Sequence, residues 1–151
     1  MENKQEEILN KLLVQLFNDI LYIEEKAMKG TAYNDLSMTE VHTIEAIGKE
    51  GNRTMGEIAH DLRITVGTLT TSINRLIKKG YAQRKRIEED RRVVLVNLTE
   101  KGEEVFNAHS IFHKEMIDSI LEEFAGEDLE VLTKLLGKIS RFFEKKYGRF
   151  Q

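Results

Sequence analysis

Residues 65–102 read TVGTLTTSINRLIKKGYAQRKRIEEDRRVVLVNLTEKG, and this stretch decides the fold. In its first half, apolar residues recur every three or four positions, which predicts a helix over about 65–79 that stops at Gly80. The residues expected on the core face of that helix are Val66, Leu69, Ile73 and Leu76. The period then changes to two β-rich runs on either side of a charged turn, which predicts a two-stranded hairpin over about 81–98.

Two capping patterns precede this stretch. Ser37 with Glu40, and Thr54 with Glu57, each place a hydroxyl three residues before a glutamate, which is a signal for the start of a helix. A two-residue turn at 63–64 then separates the second short helix from the helix that starts at 65. This is the right length for a helix-turn-helix, here followed by a basic hairpin.

Long amphipathic helices are predicted at both ends of the chain. Apolar spacings of three and four predict one helix over about 5–29, one that follows Thr99 and runs to about 125, and a last one after Gly126. Their apolar stripes are too wide for one small lobe to cover. We therefore expect the first and last helices to pack together and against a second copy of the chain, forming a homodimer. A bundle within one chain is the alternative.

The composition excludes several classes of protein. The chain has 151 residues, of which 40% are hydrophobic and 32% charged, so it has enough apolar material for a core. It contains no cysteine, which excludes disulfides, thiolate metal sites and cysteine nucleophiles. The N-terminus is polar and no apolar run reaches the length of a membrane span, so we expect a cytoplasmic protein without a membrane partner.

The charge is distributed unevenly along the chain. From Arg63 to Arg92 there are nine basic and three acidic residues, a net charge of +6, whereas the remaining 14 basic and 23 acidic residues give −9. A basic strip on an acidic body is the electrostatic footprint of a protein that binds a polyanion. A solvated charged surface is the alternative.

The helix over 65–79 has the residue types of a helix that enters a DNA groove. Outside its core face it carries small hydroxylated residues, a glycine, an amide and an arginine. Small side chains let a helix lie deep in the major groove, hydroxyls can donate to phosphates, and arginine can bind guanine through two hydrogen bonds. Helix caps and ordinary surface residues are the alternative. The residues expected to face outward are Thr65, Thr68, Thr71, Ser72 and Arg75.

The hairpin supplies a second basic surface, because Arg84, Lys85, Arg86, Arg91 and Arg92 cluster near its tip. A basic β-ribbon beside a recognition helix is a wing, which contacts phosphates or an adjacent minor groove. Asp90 is expected to orient the Arg92 guanidinium rather than to touch DNA. The complete set of predicted DNA contacts is Thr65, Gly67, Thr68, Thr71, Ser72, Arg75, Lys78, Arg84, Arg86, Arg91 and Arg92.

Residues 90–102, DRRVVLVNLTEKG, resemble the wing signature of the MarR family of transcription regulators, Asp-x-Arg followed at fixed spacing by Leu-Thr-x-x-Gly. Gly80 followed by the aromatic Tyr81 fits the same family. The resemblance covers nearly the whole chain. It implies a winged helix-turn-helix lobe, a triangular dimer built from both termini, and a pseudo-palindromic operator in double-stranded DNA.

The expected fold class is therefore mainly α with a small β-hairpin. The winged helix-turn-helix DNA-binding region is placed at 37–99, with its recognition helix at about 65–79 and its wing at about 81–98. The helical dimerisation region is placed at 1–36 and 100–151.

A narrower resemblance concerns the regulated process. Residues 65–74, together with VHTIE at 41–45 and IEE at 23–25, resemble the fatty-acid-synthesis repressor branch of the family (FabT). That resemblance implies a repressor whose co-repressor is a long acyl chain carried on acyl carrier protein, bound between the dimer helices and the DNA-binding lobe. The residues predicted to line this pocket are Phe17, Met28, His42, Phe106, His109 and His113.

A metal site is an alternative use of the same histidines. His109 and His113 are four residues apart and face one way on a helix. His42 could join them, Glu24 or Glu25 could complete a tetrahedron, and zinc-sensing relatives use ligands from such regions. The absence of cysteine and the neighbouring phenylalanines favour packing, so neither a metal nor another cofactor is predicted.

Two further function classes are less consistent with the sequence. An enzyme would need a nucleophile with a positioned base or a glycine-rich phosphate loop, and the His60-Asp61 pair supplies neither, so no catalytic residue is predicted. A dimeric interaction module without DNA binding would require the basic strip and the threonine-rich helix to be accidental.

Overall fold

A computed structural model of the chain describes residues 2–148, with side chains from residue 4 onward. The elements in this part of the chain are α1 (Glu2–Lys29), α2 (Met38–Ile47), β1 (Arg53–Thr54), α3 (Met55–Leu62), α4 (Val66–Lys79), β2 (Ala82–Arg86), β3 (Val94–Leu98), α5 (Glu100–Glu123) and α6 (Glu127–Tyr147). The predicted fold class, mainly α with a small β-structure, is confirmed.

Contacts between residues divide the described chain into two compact units, with the boundary between Met38 and Thr39. The first unit consists of α1 and the loop after it. The second contains the helix-turn-helix, the sheet, α5 and α6. The sequence also predicts a boundary after residue 99, between the DNA-binding region and the last two helices, and this boundary stays a prediction.

The sheet has three strands in the order β1-β3-β2, and both pairings are antiparallel. Arg84 pairs with Val96 across the hairpin, and Arg53 of β1 pairs with Val96 from the other side. The prediction of a two-stranded hairpin was therefore incomplete. Strand β1 has only two residues, so no alternating pattern could reveal it, and its partner is more than 40 positions away in the sequence.

The core of the second unit lies where α2, α3 and α4 meet the sheet and the start of α5. The apolar side chains and Tyr81 that have at most 1% exposure there are Val41, Ile44, Ile47, Ile58, Leu69, Ile73, Leu76, Tyr81, Val96 and Val105. Thr43 of α2 is a polar side chain with the same burial. Three of the apolar side chains, spaced by four and three residues, come from α4, so the helix is held to the unit by one face.

The glycine of the Leu-Thr-x-x-Gly motif has a packing role. A Cβ atom on Gly102 would collide with the carbonyl oxygen of Tyr81. Thr99 caps α5 by accepting a hydrogen bond from the Gly102 amide at 3.2 Å, while its own amide donates to the Tyr81 carbonyl at 3.1 Å. The motif therefore brings the start of α5 against the end of α4 and the base of the hairpin.

Candidate nucleic-acid interface

Two turns fix the ends of the helix predicted as the recognition helix, and both confirm the bounds expected from the sequence. Thr65 is the N-cap residue of α4, and its Oγ1 accepts from the Thr68 amide at 3.1 Å. At the other end Gly80 adopts φ +83°, a left-handed conformation that suits glycine, and its amide bonds back into the last turn.

The predicted two-residue turn between α3 and α4 is present. Arg63 adopts φ +57°, and the Ile64 amide donates to the Ala59 carbonyl at 3.0 Å, which closes α3 and redirects the chain. Thr54 and Glu57 form the predicted capping box at the start of α3. The two hydrogen bonds from Thr54 lower the pKa of the Glu57 carboxyl.

An ion pair attaches α3 to the strand before it. The Arg53 guanidinium lies 2.7 Å from Oδ2 of Asp61 and also donates to the Ala46 carbonyl of α2 at 2.7 Å. The hydrogen bond from Arg53 to the Asp61 carboxylate is the main cause of the lowered pKa of Asp61. Arg53 thereby links α2, β1 and α3, the frame that supports α4.

The inner face of α4 corrects two sequence-based expectations. Ser72 was expected to face outward, but it is 9% exposed and its Oγ lies 3.0 Å from Oγ1 of Thr43 in α2, so that prediction is wrong. Val66 was expected in the core but is 50% exposed. The packing of Leu69 and Ile73 rotates the helix so that Ser72 turns toward α2 and Val66 turns away from the core.

A second polar link connects α4 to α2. Lys79 Nζ lies 2.8 Å from Oε2 of Glu40, whose side chain is only 6% exposed. The C-terminal carbonyls of α4 are bound from the other direction, because Lys101 Nζ donates to the Lys79 carbonyl at 3.2 Å and Thr99 Oγ1 donates to Gly80 at 2.6 Å. Both ends of the helix are thus held in place.

The outward face of α4 is polar and open. Thr65, Gly67, Thr68, Thr71, Arg75 and Lys78 are all exposed, as the prediction of DNA contacts requires. Gly67 has an ordinary helical φ, and a Cβ there would meet only Thr65 Oγ1, at 3.8 Å. No contact among the described residues requires a glycine at that position in the first turn of α4, although glycine is a poorer helix former than alanine.

The wing carries its basic residues on exposed positions. Arg84 and Arg86 lie on β2, and Arg91 and Arg92 lie in the turn between β2 and β3, all exposed. The predicted role of Asp90 agrees with the geometry. Its Oδ1 accepts from both the backbone amide and Nε of Arg92 at 3.0 Å, and its Oδ2 accepts from Nη2 at 3.3 Å. These bonds lower the pKa of Asp90 and orient the guanidinium.

The histidines predicted for an acyl pocket or a metal site lie together in the second unit. His109 is 2% exposed, its Nε2 lies 3.2 Å from Nε2 of His113, and its ring centroid lies 5.7 Å from that of His42. The Nδ1 of His109 is 3.6 Å from Oε2 of Glu45. The ring of Phe112 is 5.4 Å from that of His113. The cluster therefore mixes imidazoles with aromatic packing.

The other predicted pocket residues have varied surroundings. Phe106 is half-buried and lines an open groove of about 590 Å³ beside the end of α2, together with Glu45 and Arg53. Met28 is buried, whereas Phe17 is 64% exposed. None of these positions contradicts the predicted pocket, and none tests it.

The helices at the two ends expose broad apolar faces. On α1, Leu12, Leu16 and Phe17 are at least 55% exposed, and on α6 no residue is buried and Phe142 and Phe143 are about half exposed. Apolar faces of this extent mark protein interaction surfaces. In the described residues, no helix is long and apolar enough to cross a membrane.

Comparisons with known proteins give a consistent result. A family model described as transcriptional regulator SarA/Rot matches residues 27–109. The chain is 33% identical over 107 residues to the HTH-type transcriptional regulator BilQ of Clostridium symbiosum. The matched region spans 70% of this chain and 74% of BilQ. It is also 25% identical over 136 residues to the regulator YpoP of Bacillus subtilis, 90% of this chain and 91% of that protein.

Solved structures agree with these relatives. The crystal structure of Streptococcus pneumoniae FabT in complex with DNA has a TM-score of 0.87 and 40% identity, and covers 91% of this chain and 96% of FabT. A MarR protein from Peptoclostridium difficile has the same fold, with a TM-score of 0.75 and 23% identity over 95% of this chain and 92% of that one.

Proposed function

We propose a specific role for this chain from the premise that it belongs to the MarR family of winged-helix transcriptional regulators and binds DNA as one of them. The proposal is a cytoplasmic homodimeric repressor without catalytic activity, which binds a pseudo-palindromic operator and controls fatty-acid synthesis genes. Its co-repressor would be a long acyl chain on acyl carrier protein. Membership of the family sets aside the alternative of an interaction module that does not bind DNA.

Two exposed surfaces of the second unit support the DNA-binding part of the proposal. The exposed face of α4, including Thr68, Thr71 and Arg75, and the exposed arginines of the wing belong to the stretch from Arg63 to Arg92, which carries a net charge of +6. We assign the face of α4 to the major groove and the wing to phosphates or the adjacent minor groove. Ser72 is no longer among the proposed contacts, because its hydroxyl faces Thr43.

Two measurements test these assignments. A dimer that makes about 6 to 10 phosphate contacts should lose roughly 10³- to 10⁵-fold in affinity between about 50 and 200 mM salt. Arg92→Ala should weaken binding to operator and random DNA alike, whereas Thr68→Ala and Thr71→Ala should weaken operator binding more than random binding. Lys134→Ala, an exposed lysine on α6, is the control. Equal losses on both DNAs for all three test variants would place the reading face elsewhere.

The likeness to FabT supports fatty-acid control, because the chain shares 40% identity with that protein over nearly its whole length. In the second unit, the residues proposed for the acyl pocket include half-buried Phe106 and buried His109. An apolar pocket binds longer chains more tightly until it is full, by about 0.8 kcal/mol or roughly fourfold per buried methylene. Bound ligand and bound DNA must then strengthen each other by the same factor.

The test compares operator affinity with decanoyl-, myristoyl- and palmitoyl-acyl carrier protein, at fixed salt and with a chelator present. Unacylated carrier protein is the control. The proposal predicts that affinity for the operator rises with chain length. Affinities that do not change between the three acyl groups and the unacylated protein would contradict it, while leaving the DNA-binding assignment intact.

The histidine cluster supports a second candidate, a zinc-responsive regulator. Two ligands of a tetrahedral zinc ion lie about 3.3 Å apart, since each is roughly 2.0–2.1 Å from the metal. The 3.2 Å between Nε2 of His109 and Nε2 of His113 fits that separation, and His42 lies beside them. In this candidate His109 and His113 would supply two of the ligands, with His42 as the further ligand that the sequence predicts.

Zinc titration separates the two candidates. If zinc alone restores operator binding after chelation, and His113→Gln abolishes the response, the metal candidate is supported. Glu115→Gln, an exposed acid on the same helix, is the matched control. If zinc has no effect on affinity for the operator, the metal candidate is wrong.

A further inference from the structure

Four residues form a straight line along the outward face of α4. Gly67, Thr71, Asn74 and Lys78 follow one another at spacings of four, three and four, and all are exposed. At 100° per residue they lie within an arc of about 60°, roughly opposite the buried Leu69, Ile73 and Leu76. When a helix lies in the major groove, its outermost line faces the base edges and its flanks face the phosphates.

Most of the neighbouring hydroxyls already have partners inside the protein. Oγ1 of Thr65 and Oγ1 of Thr68 lie 2.9 Å apart, and Oγ1 of Thr70 donates to the Val66 carbonyl at 2.8 Å. The hydroxyl of Ser72 faces Thr43. The hydroxyls of Thr65, Thr70 and Ser72 are therefore less available to discriminate between bases than the sequence suggests, whereas Thr68 can still present its methyl group to a thymine.

Asn74 differs from these hydroxyls. Among residues 4–148, no group makes a hydrogen bond with the side-chain amide of Asn74. Asparagine is a poor helix former compared with alanine, lysine or glutamate, and here it lies in the middle of a 14-residue helix. Its side-chain amide makes no hydrogen bond within α4, so its donor and its acceptor remain for an external partner.

We propose that Asn74 reads an adenine in each half-site of the operator. The amide presents one acceptor and one donor on the same fork, which match the N6 donor and the N7 acceptor of adenine. Guanine offers two acceptors on that edge and cannot satisfy the amide oxygen. Gly67, on the same line nearer the N-terminus, lets the helix approach closely enough for the short Asn74 side chain to reach the base.

The inference rests on DNA binding through α4 and not on the acyl or zinc candidates. It also distinguishes Asn74 from its charged neighbours. Arg75 and Lys78 have longer, charged side chains that can reach phosphates from several positions, whereas the donor and acceptor of the Asn74 amide together match the edge of adenine and a phosphate can use only the donor. The position and the chemistry of Asn74 both point to a base edge.

The experiment selects bound sequences from a random duplex library with the full-length protein. Wild type, Asn74→Ala and the control Asn107→Ala, an exposed asparagine on α5, are compared. Asn74→Ala should lose the adenine preference at one position per half-site, by roughly 5- to 150-fold, and keep all other preferences. Asn107→Ala should select the same sequence as wild type. Circular dichroism checks folding, which alanine in a helix should not impair.

A chemically modified site gives an independent measurement. In the sequence that wild type selects, 7-deazaadenine at that position removes the N7 acceptor. It should weaken wild type but leave the affinity of Asn74→Ala unchanged. An unaltered base preference in Asn74→Ala would overturn the inference, and so would a uniform loss over all sequences, which would indicate a phosphate contact. A failure of wild type to select any sequence would instead contradict sequence-specific binding altogether.

Discussion

The helices of the DNA-binding part, such as α2 and α4, and the helices at the ends of the chain, α1 and α6, use similar apolar residues in opposite ways. Ile44 of α2 and Leu69 of α4 are 0% exposed, whereas Leu135 and Phe142 of α6 are about half exposed, and α6 buries no residue at all. The DNA-binding part thus completes its core within one chain. The terminal helices present apolar faces that are covered only when another surface packs against them.

This contrast supports the proposed dimer. Leaving an apolar side chain in water forfeits about 1.5–3 kcal/mol relative to burying it, and many such side chains are exposed together on α1 and α6. A second copy carries matching faces. A second copy would also hold the two α4 helices at a fixed spacing, as a pseudo-palindromic operator requires.

The largest expected effect comes from a charge in the terminal faces. Leu12→Glu or Phe143→Glu should place an unpaired charge in the dimer interface, at a cost of about 3–5 kcal/mol per buried charge. We expect monomers in sedimentation velocity and loss of operator binding, with the circular dichroism of the helices largely retained. Lys134→Glu, on a polar position of α6, is the control. A dimeric variant with normal operator affinity would place the interface elsewhere.

The next effect tests the complete core of the DNA-binding part. Leu69→Ala should lower the free energy of unfolding by about 2–5 kcal/mol, because it leaves a cavity among fully buried side chains. Val66→Ala, three residues earlier on the same helix but half exposed, should change it by less than about 0.5 kcal/mol. Urea denaturation measures both. Similar losses for the two variants would mean that α4 is rotated from the orientation described.

Gly67→Ala should have effects of opposite sign on stability and on binding. The added methyl group meets only Thr65 Oγ1, at an ordinary contact distance, and improves helix propensity, so stability should rise by less than about 1 kcal/mol. Operator affinity should fall, because the methyl group lies on the line that faces the groove floor. Denaturation and a binding titration on the same sample provide the test, and unchanged affinity would show that no base lies close to this position.

The smallest effect concerns pH. The Arg53 hydrogen bond lowers the pKa of Asp61 in the folded state, so the pair stabilises the protein above the unfolded pKa of about 3.9. That contribution is lost as the pH falls through the lower folded value. Because Asp61 is half exposed, the contribution of the pair to the free energy of unfolding should be below about 1 kcal/mol. Asp61→Asn should flatten the profile of unfolding free energy against pH between roughly pH 5 and 3, as measured by urea denaturation.

Several features were predictable because they depend on neighbours in the sequence. The caps at Thr54, Thr65 and Gly80 fix the ends of α3 and α4, and all three lie where the pattern of residues places them. The same holds for Asp90, whose partner is only two residues away. Such signals act over one turn of helix or one tight turn, so they can be recognised without the rest of the structure.

What the sequence determined by itself was therefore the order of the elements, the helix-turn-helix, the basic strip and the family. The tertiary structure decided the third strand at Arg53, the inward side of Ser72, the outward side of Val66 and the meeting of His42 with His109. The reason is physical. Local hydrogen bonding sets where a helix begins and ends, but its rotation about its own axis is set by packing against residues far away in the chain.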